Sequence, residues 1–285
     1  MQYSDQKKGM LLAFTAIMFI TPDSLFIRLA NLTSWNLIFY RGFIPFVIVF
    51  IGLLIIYKTK FFTQLVENGW HGIAYAAVFT ITNIFFVISI ENTNVANTLI
   101  MIALAPMLSA VISFIFLKEN TDKKTWVAII ITTLSVIYIF NDSFERGDVL
   151  GNFLGLVCAT GLAVGAVIIR SAKKISLVPS AMMGKLMVTL IALLFADNLV
   201  LKGNDTVIIP LMCIMCVAIP FVLITLAPRF ISAAEVNLFF LLETILGPLW
   251  VWFVIKEQPS TETILGGVVI IATIAAHSFL NLKKT

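Results

Sequence analysis

Long apolar runs alternate with short polar links along almost the whole chain. A helix crosses the hydrocarbon core of a bilayer with about 20 residues at about 1.5 Å each, and the runs have this length. The links carry turn-forming or helix-breaking residues such as Asn31, Gly147, Pro179, Gly203 and Pro259. The pattern predicts an all-α integral membrane protein with ten transmembrane helices. The ten runs are 9–28, 35–57, 70–90, 95–117, 125–140, 150–169, 180–200, 207–226, 233–255 and 261–280.

The composition supports a membrane protein. Hydrophobic residues make up 60% of the 285 residues and charged residues 12%, whereas about a quarter of a soluble domain is charged. The net charge of +4 does not indicate nucleic-acid binding, because the cations lie in short clusters between the runs. Cys158, Cys213 and Cys216 lie in apolar runs, so we expect them to pack as small apolar residues.

The clusters of positive charge predict the orientation. With a cytoplasmic N-terminus, thirteen lysines and arginines lie in cytoplasmic links or tails, and four lie outside. Cytoplasmic loops of membrane proteins are rich in these residues. We therefore expect both termini in the cytoplasm, and we expect the membrane to be a bacterial inner (plasma) membrane. The four outer cations are Arg28, Arg146, Lys202 and Lys256.

The two remaining cations indicate an internal repeat. Arg41 lies early in the second run and Lys185 early in the seventh, while Lys118-Glu119 and Lys256-Glu257 end the fourth and ninth runs. The halves would be residues 1–145 and 146–285, with five runs each. An odd number of runs forces the second half to insert upside down. Inverted repeats are typical of secondary transporters, whose binding site lies near the middle of the membrane between the halves.

Several segments resemble one known family. They are Tyr40-Arg41, the fourth run from Asn97 to Pro106 with its Lys118-Glu119 end, and the two ends of the ninth run, Ser232-Ala-Ala-Glu235 and Val254-Ile-Lys-Glu257. The chain looks like an EamA-type member of the drug/metabolite transporter superfamily. The resemblance implies a 5+5 inverted repeat around a central cavity and the transport of small metabolites such as amino acids. The family often has a glycine in the fifth run, and this chain has none there.

Glu243 is the main candidate for substrate binding. It lies near the middle of the ninth run, where a charge is costly and usually faces a partner or a water-filled cavity. We expect Glu243 to bind a cationic substrate group or a proton, with Glu235 bordering the same cavity about 80° round the helix. Thr244 and Asn237 are weaker candidates, and Asn83 would face them from the third run. The alternative is that Glu243 packs against a neighbouring helix through a hydrogen bond.

Four ionisable residues at membrane depth are candidates for gating pairs. Asp23 and Arg41 lie at similar depth near the outer ends of their runs, and Lys185 and Glu235 lie near the inner ends. An isolated charge at that depth is costly, so we expect an outer Asp23–Arg41 pair and an inner Lys185–Glu235 pair. Each pair would strengthen when its side of the cavity closes. The alternative is that each long side chain extends to the nearer membrane surface.

The motifs that the sequence lacks reduce the number of possible functions. Clustered catalytic groups and metal-ligand spacings are missing from the sequence, and so is the Gly-x-x-x-x-Gly-Lys loop of ATPases. We expect a non-ATP secondary transporter of a small charged or zwitterionic metabolite, such as an amino acid or amine, that works by alternating access with proton coupling left open. The alternatives are a membrane-embedded enzyme and a receptor or assembly protein with a lipid-soluble ligand.

We expect neither catalytic residues nor a cofactor or metal ion. The expected partners are the metabolite and the lipid bilayer, without nucleic acid, and the protein would act as a monomer or homodimer.

Overall fold

A computed structural model of the chain describes residues 2–58, 60–118, 123–172, 175–227 and 233–282. All regular secondary structure within these ranges is helical, so the predicted all-α class is confirmed. A π-helical segment, Cys213–Ala218, joins α11 to α12. The helices are α1 Gln2–Ile20, α2 Asp23–Leu29, α3 Ser34–Tyr57, α4 Lys60–Glu67, α5 Gly69–Asn92, α6 Val95–Ile102, α7 Ala105–Leu117, α8 Lys123–Arg146, α9 Val149–Ser171, α10 Val178–Phe195, α11 Asp205–Met212, α12 Ile219–Leu226, α13 Ala233–Ile255 and α14 Thr261–Leu282.

Seven segments of the described chain are long and apolar enough to cross a membrane, and three shorter apolar stretches lie within α8, α13 and α14. Each of the ten predicted runs overlaps one of these segments. The number of ten crossings itself stays a prediction. The seven are Lys7–Leu29, Ser34–Ile56, Gly69–Asn92, Val95–Phe116, Val149–Ile169, Val178–Phe195 and Asp205–Ile224. The three shorter apolar stretches are Trp126–Asn141 of α8, Leu242–Ile255 of α13 and Thr261–Ala276 of α14.

Proline has two different effects in these segments. The first run breaks between α1 and α2 at Thr21 and Pro22, and Pro106 follows the break between α6 and α7. Pro45 and Pro248, in contrast, lie inside continuous helices. A proline removes only one helical hydrogen bond, and packing neighbours satisfy the freed carbonyl in a membrane protein.

The structure also differs from the sequence prediction in two links. The amphipathic helix α4 fills the link between the second and third runs, where no helix was predicted. The seventh run was expected to reach residue 200, but α10 ends at Phe195. Asn36 donates a hydrogen bond from Nδ2 to the Asn198 carbonyl at 2.8 Å, and the Tyr40 hydroxyl donates to the Leu199 carbonyl. These bonds to α3 satisfy the carbonyls of the extended segment.

The largest helix contacts join the first five runs to the last five, and α5 with α9 is the largest. Three contacts join runs at the same position in the two halves: α3 packs on α10, α8 on α14 and α6 on α13. The other large contacts occur in pairs. If each run of the first half is replaced by the run at the same position in the second half, and the reverse, one contact of a pair becomes the other. The pairs are α5–α9 with α1–α12, α5–α10 with α3–π segment, and α6/α7–α9 with α1/α2–α13. The packing is therefore symmetric between the two sets of five runs.

The same symmetry appears in two helix ends. Lys118 follows α7 with φ 52° and Lys256 follows α13 with φ 61°, so both lysines adopt the left-handed conformation that commonly ends a helix. These are the lysines of the two Lys-Glu pairs that indicated the repeat. Glu119 lies outside the described residues.

The small residues of α9 allow it to approach α5 closely. A Cβ atom at Gly151 would meet the Asn92 carbonyl at 2.6 Å, and one at Gly155 would meet Met101 at 3.1 Å and Ser89 at 3.3 Å. Small side chains let helix backbones pack closely in membranes. Gly151 and Gly155 of the sixth run thus serve helix packing.

Candidate functional site

A buried ion pair joins α2 to α3. Arg41 of α3 donates from Nη1 to Asp23 Oδ1 at 2.6 Å and from Nη2 to Asp23 Oδ2 at 2.8 Å. The break at Pro22 places Asp23 in the first turn of α2, where the free N–H groups of a helix favour a carboxylate. Asp23 is 4% exposed and Arg41 7% exposed. The guanidinium therefore stays inside the protein, and the alternative in which it extends to the membrane surface does not hold.

Two further elements surround the guanidinium. It approaches the Met212 sulfur of α11 at 3.5 Å and lies 5.7 Å from the centre of the Phe86 ring of α5. Cys213 donates from Sγ to the carbonyl of Tyr40 at 3.4 Å. The ion pair therefore joins the first, second, third and eighth runs. Whether it acts as a gate stays a prediction.

Glu243 lies half-buried in the middle of α13 and is close enough to interact electrostatically with Asp23 and Arg41. Among the described residues it has no hydrogen-bond or ion-pair partner. One turn further along, Gly247 packs against Ser24. Trp250 then donates from Nε1 to Thr21 Oγ1 at 3.2 Å. Helix α13 is thus fixed against the break between α1 and α2, which places the Glu243 carboxylate beside a pair whose charges already cancel.

Lys185 of α10 is a second buried cation near this pair. It is 3% exposed, so it does not extend to the membrane surface, and it interacts electrostatically with Arg41 and Asp23. Its Nζ donates to Asn83 Oδ1 of α5 at 2.5 Å and lies 5.3 Å from the centre of the Phe79 ring. Asn83 donates from Nδ2 to the Phe79 carbonyl at 2.8 Å, which fixes its oxygen towards the lysine.

The other predicted site residues are placed as follows. Asn83 was expected to face the ninth run, but its described hydrogen bonds go to Lys185 and to the Phe79 carbonyl. Thr244 is 6% exposed, and its hydroxyl donates to the carbonyl of Phe240 in its own helix at 3.3 Å. The side chains of Glu235 and Asn237 lie outside the described residues, so the Lys185–Glu235 pair stays a prediction.

A cluster at one end of the helix bundle joins three chain segments, and we call it the clasp: Arg28, Thr93, Val95 and Glu257. Arg28 ends α2, and its Nε lies 3.0 Å from Glu257 Oε2. Its Nη2 donates to the Thr93 carbonyl at 2.7 Å. Glu257 follows α13, and its Oε1 accepts a hydrogen bond from the Val95 N–H at 2.8 Å. The Glu257 carboxylate therefore caps the free N-terminus of α6 while it pairs with Arg28.

Polar side chains extend the contacts around the clasp. Thr263 of α14 donates to Asn97 Oδ1 of α6 at 2.6 Å, and Thr93 donates to Asn152 Oδ1 of α9 at 2.9 Å. An open polar cleft of about 410 Å³ borders the clasp and includes Glu91 and Asp148 in its lining. Bonds between the first five runs and the last five thus join the helices at this end of the bundle.

Comparison with known proteins agrees with this arrangement. The model of the EamA-like transporter family matches residues 7–141 and matches again over residues 149–279. The chain belongs to the EamA-like transporter family. This family is part of the drug/metabolite transporter superfamily, so the resemblance seen in the sequence is confirmed.

One solved structure shows the fold of this EamA-like transporter at low sequence identity. A crystal structure of another protein matches with a TM-score of 0.67 and 16% identity, over 96% of this chain and 98% of the other. The comparison with curated proteins found no match. The two family matches, together with the apolar helices, identify the EamA-like transporter as an integral membrane protein.

Sequence reasoning missed two features of this EamA-like transporter. From the sequence, Arg28 was identified only as one of the outer cations and Glu257 only as part of a repeated Lys-Glu pair. Both residues lie next to the ends of runs, and this position was a signal for a contact between the two halves. The hydrogen bond between Asn83 and Lys185 was not predicted. The sequence gives its depth in the membrane but not which way its helix is rotated.

Proposed function

We propose that this protein is a secondary transporter that carries a small charged or zwitterionic metabolite, such as an amino acid or amine, by alternating access. The position of Glu243 beside the Asp23–Arg41 pair carries the proposal. Asp23 and Arg41 neutralise each other, so neither compensates the negative charge of an ionised Glu243. A cationic substrate group or a proton compensates this charge, and exchange between the two would couple transport to protons.

The architecture supports alternating access. Ten crossings arranged as an inverted repeat of residues 1–145 and 146–285 would place the site near the middle of the membrane between the halves. The symmetric helix packing and the two family matches are what such a repeat requires. The Arg28 end would face the outside of a bacterial inner membrane, with both termini in the cytoplasm, and the protein would act as a monomer or homodimer.

Two charge pairs would control access to the site. In this proposal Asp23 and Arg41 pair when the outer side is closed, which is the side where the clasp is formed. Lys185 and Glu235 would pair when the inner side closes. Glu235, Asn237 and Thr244 would border the path of the substrate along α13.

The test compares Glu243→Gln with the wild-type protein. The amide keeps the shape of the side chain and removes its charge. Purified protein in detergent is screened by thermal shift against amines and amino acids, because a ligand stabilises the state that it binds. We expect at least one cationic or zwitterionic compound to stabilise the wild type and to lose this effect in Glu243→Gln. The matched control is Glu67→Gln, since Glu67 is exposed on α4.

Stabilisation of Glu243→Gln by the same compounds at the same concentrations would contradict the assignment of Glu243. It would then be a packing residue.

A further inference from the structure

We propose that Lys185, held in place by Asn83, binds the carboxylate of a zwitterionic substrate. The proposal rests on the proposed function and deepens it, because it assigns a separate subsite to the acidic end of the same substrate whose cationic end Glu243 would bind. Lys185 lies on α10 and Asn83 on α5, while Glu243 lies on α13.

The charge of Lys185 lacks an acidic partner among the described residues. An ammonium group has three N–H donors, and the one described acceptor for them is the Asn83 amide oxygen at 2.5 Å. The Phe79 ring at 5.3 Å adds a cation–π contact. This contact attracts the ammonium group but does not offer it a carboxylate oxygen as a hydrogen-bond acceptor. A buried, uncompensated ammonium costs several kcal/mol, so an anionic ligand that binds here would stabilise the charged form of Lys185.

Asp23 does not supply that anion. Both of its oxygens accept hydrogen bonds from the Arg41 guanidinium, at 2.6 and 2.8 Å, and the two charges cancel. Arg41 in turn repels Lys185. The two cations therefore differ in function: Arg41 is satisfied inside the protein, whereas Lys185 has donors available for a ligand.

The chemistry of Lys185 favours a carboxylate over a phosphate. One lysine compensates one negative charge, and the free donors of its ammonium match the oxygens of a single carboxylate. A doubly charged phosphate would bring a second charge next to Asp23 without a second free cation. With Glu243 as the other charged contact, the site fits a molecule with one carboxylate and one amine.

Lys185 also has a consistent place in the transport cycle. It would bind the substrate carboxylate while the inner side is open. When the inner side closes without substrate, Lys185 would form the predicted pair with Glu235 instead of binding the substrate carboxylate. The same cation would then serve binding and gating in different states.

The test uses probe pairs that differ only in the carboxylate: histidine and histamine, tyrosine and tyramine, lysine and cadaverine. Affinities for the full-length protein in detergent are measured by thermal shift. We expect the wild type to bind at least one amino acid about tenfold more tightly than its amine. In Lys185→Gln this preference should disappear while the affinity for the amine stays unchanged. Lys202→Gln, which alters an exposed cation, is the matched control and should keep the preference.

A second variant keeps the lysine. Asn83→Asp places a carboxylate at the position of the present amide oxygen, next to Nζ. We expect a higher melting temperature, because the ammonium gains an internal partner, and about tenfold weaker binding of the amino acid. If Asn83 and Lys185 only hold helices together, Asn83→Asp should bind the amino acid as the wild type does.

Three results would overturn the proposal. They are no preference of the wild type for any amino acid over its amine, a preference that survives in Lys185→Gln, and unchanged amino-acid binding by Asn83→Asp. Amine binding that depends on Glu243 but shows no carboxylate preference would leave the proposed function intact and refute this inference alone.

Discussion

Single residues decide how charge is tolerated inside this bundle. Arg41 and Asp23 satisfy each other with two hydrogen bonds, and neither reaches solvent. A buried pair contributes little net stability compared with apolar residues, but loss of one partner leaves a buried charge that costs about 3–5 kcal/mol. The pair thus adds little to the stability of the protein, but replacing either residue alone should be strongly destabilising.

The first prediction concerns this pair. Asp23→Asn should strongly lower the melting temperature of the detergent-solubilised protein, because Arg41 then carries an uncompensated charge. The exchange Asp23→Arg with Arg41→Asp should recover part of both stability and transport. Fluorescence-detected gel filtration after heating measures the stability. If the double exchange behaves no better than either single variant, the pair has no specific role.

The sequence predicted these charges only in part. Depth follows from counting along a helix, so Asp23 and Arg41 could be assigned to the same level and to each other. Lys185 was assigned to Glu235 on the same argument, and that pair stays a prediction, whereas the hydrogen bond from Lys185 to Asn83 was not predicted. The partner depends on the rotation of α5 and α10, which is fixed by packing, and the apolar surface of a membrane helix carries little periodic signal for it.

At the scale of helices, α3 and α10 approach each other next to the two buried cations. A Cβ atom at Gly42 would meet the Thr189 nitrogen at 2.9 Å and the Lys185 carbonyl at 3.0 Å, whereas one at Gly52 of the same helix would meet nothing within 4 Å. The nearest contact would be the Thr189 hydroxyl at 2.6 Å, and the two contacts with backbone atoms cannot be relieved by a side-chain rotation.

The second prediction follows from this contrast. Gly42→Ala should lower the melting temperature, at a cost of about 1–3 kcal/mol for an overpacked contact, and should impair substrate binding through the displacement of Lys185. Gly52→Ala should be neutral or stabilising, because alanine favours the helix by roughly 0.5–1 kcal/mol over glycine. Equal melting temperatures for the two variants would show that α3 and α10 do not pack this closely.

The third prediction concerns the clasp, which holds α2, α6 and the end of α13 together. Glu257→Gln weakens the bonds to Arg28 and to the Val95 N–H. Hydrogen bonds to charged groups contribute about 1.5–3 kcal/mol, so the outward-open state should become at least about tenfold more populated. Cys213 and Cys216, at 0% and 4% exposure, report this opening through their reaction with a membrane-impermeant thiol reagent added outside intact cells.

The background for that experiment is Cys158→Ala, which removes the third cysteine, and Lys202→Gln is the control. Faster labelling in Glu257→Gln than in the control is the expected result. An unchanged labelling rate would mean that the clasp does not hold the outer side closed.

The positions of helix breaks cannot be predicted from the sequence alone. Pro22 and Pro106 lie at helix breaks. Pro45 and Pro248 have the same local sequence signal but lie in unbroken helices, because tertiary packing and not proline alone decides whether the backbone turns. Helix α4 was missed since it is short and its apolar face, with Phe61 at 1% exposure, packs on the bundle instead of crossing the membrane.

At the scale of the whole molecule, the symmetric packing of the two sets of five runs was predictable and the choice of substrate was not. Repeated Lys-Glu ends and buried cations in equivalent runs indicated the repeat, and the family match and the helix contacts agree with it. Substrate choice depends on a few side chains such as Glu243 and Lys185. Their mutual arrangement follows from the folded structure.

The most direct test of transport at Glu243 is electrical. Purified protein is reconstituted into proteoliposomes on a solid-supported membrane, and amino acids and amines are added in turn without ATP. The account predicts a transient current for at least one zwitterionic or cationic compound with the wild type and with Glu67→Gln, and none with Glu243→Gln. Equal currents from Glu243→Gln and the wild type, or no current from the wild type with any of these compounds, would contradict it.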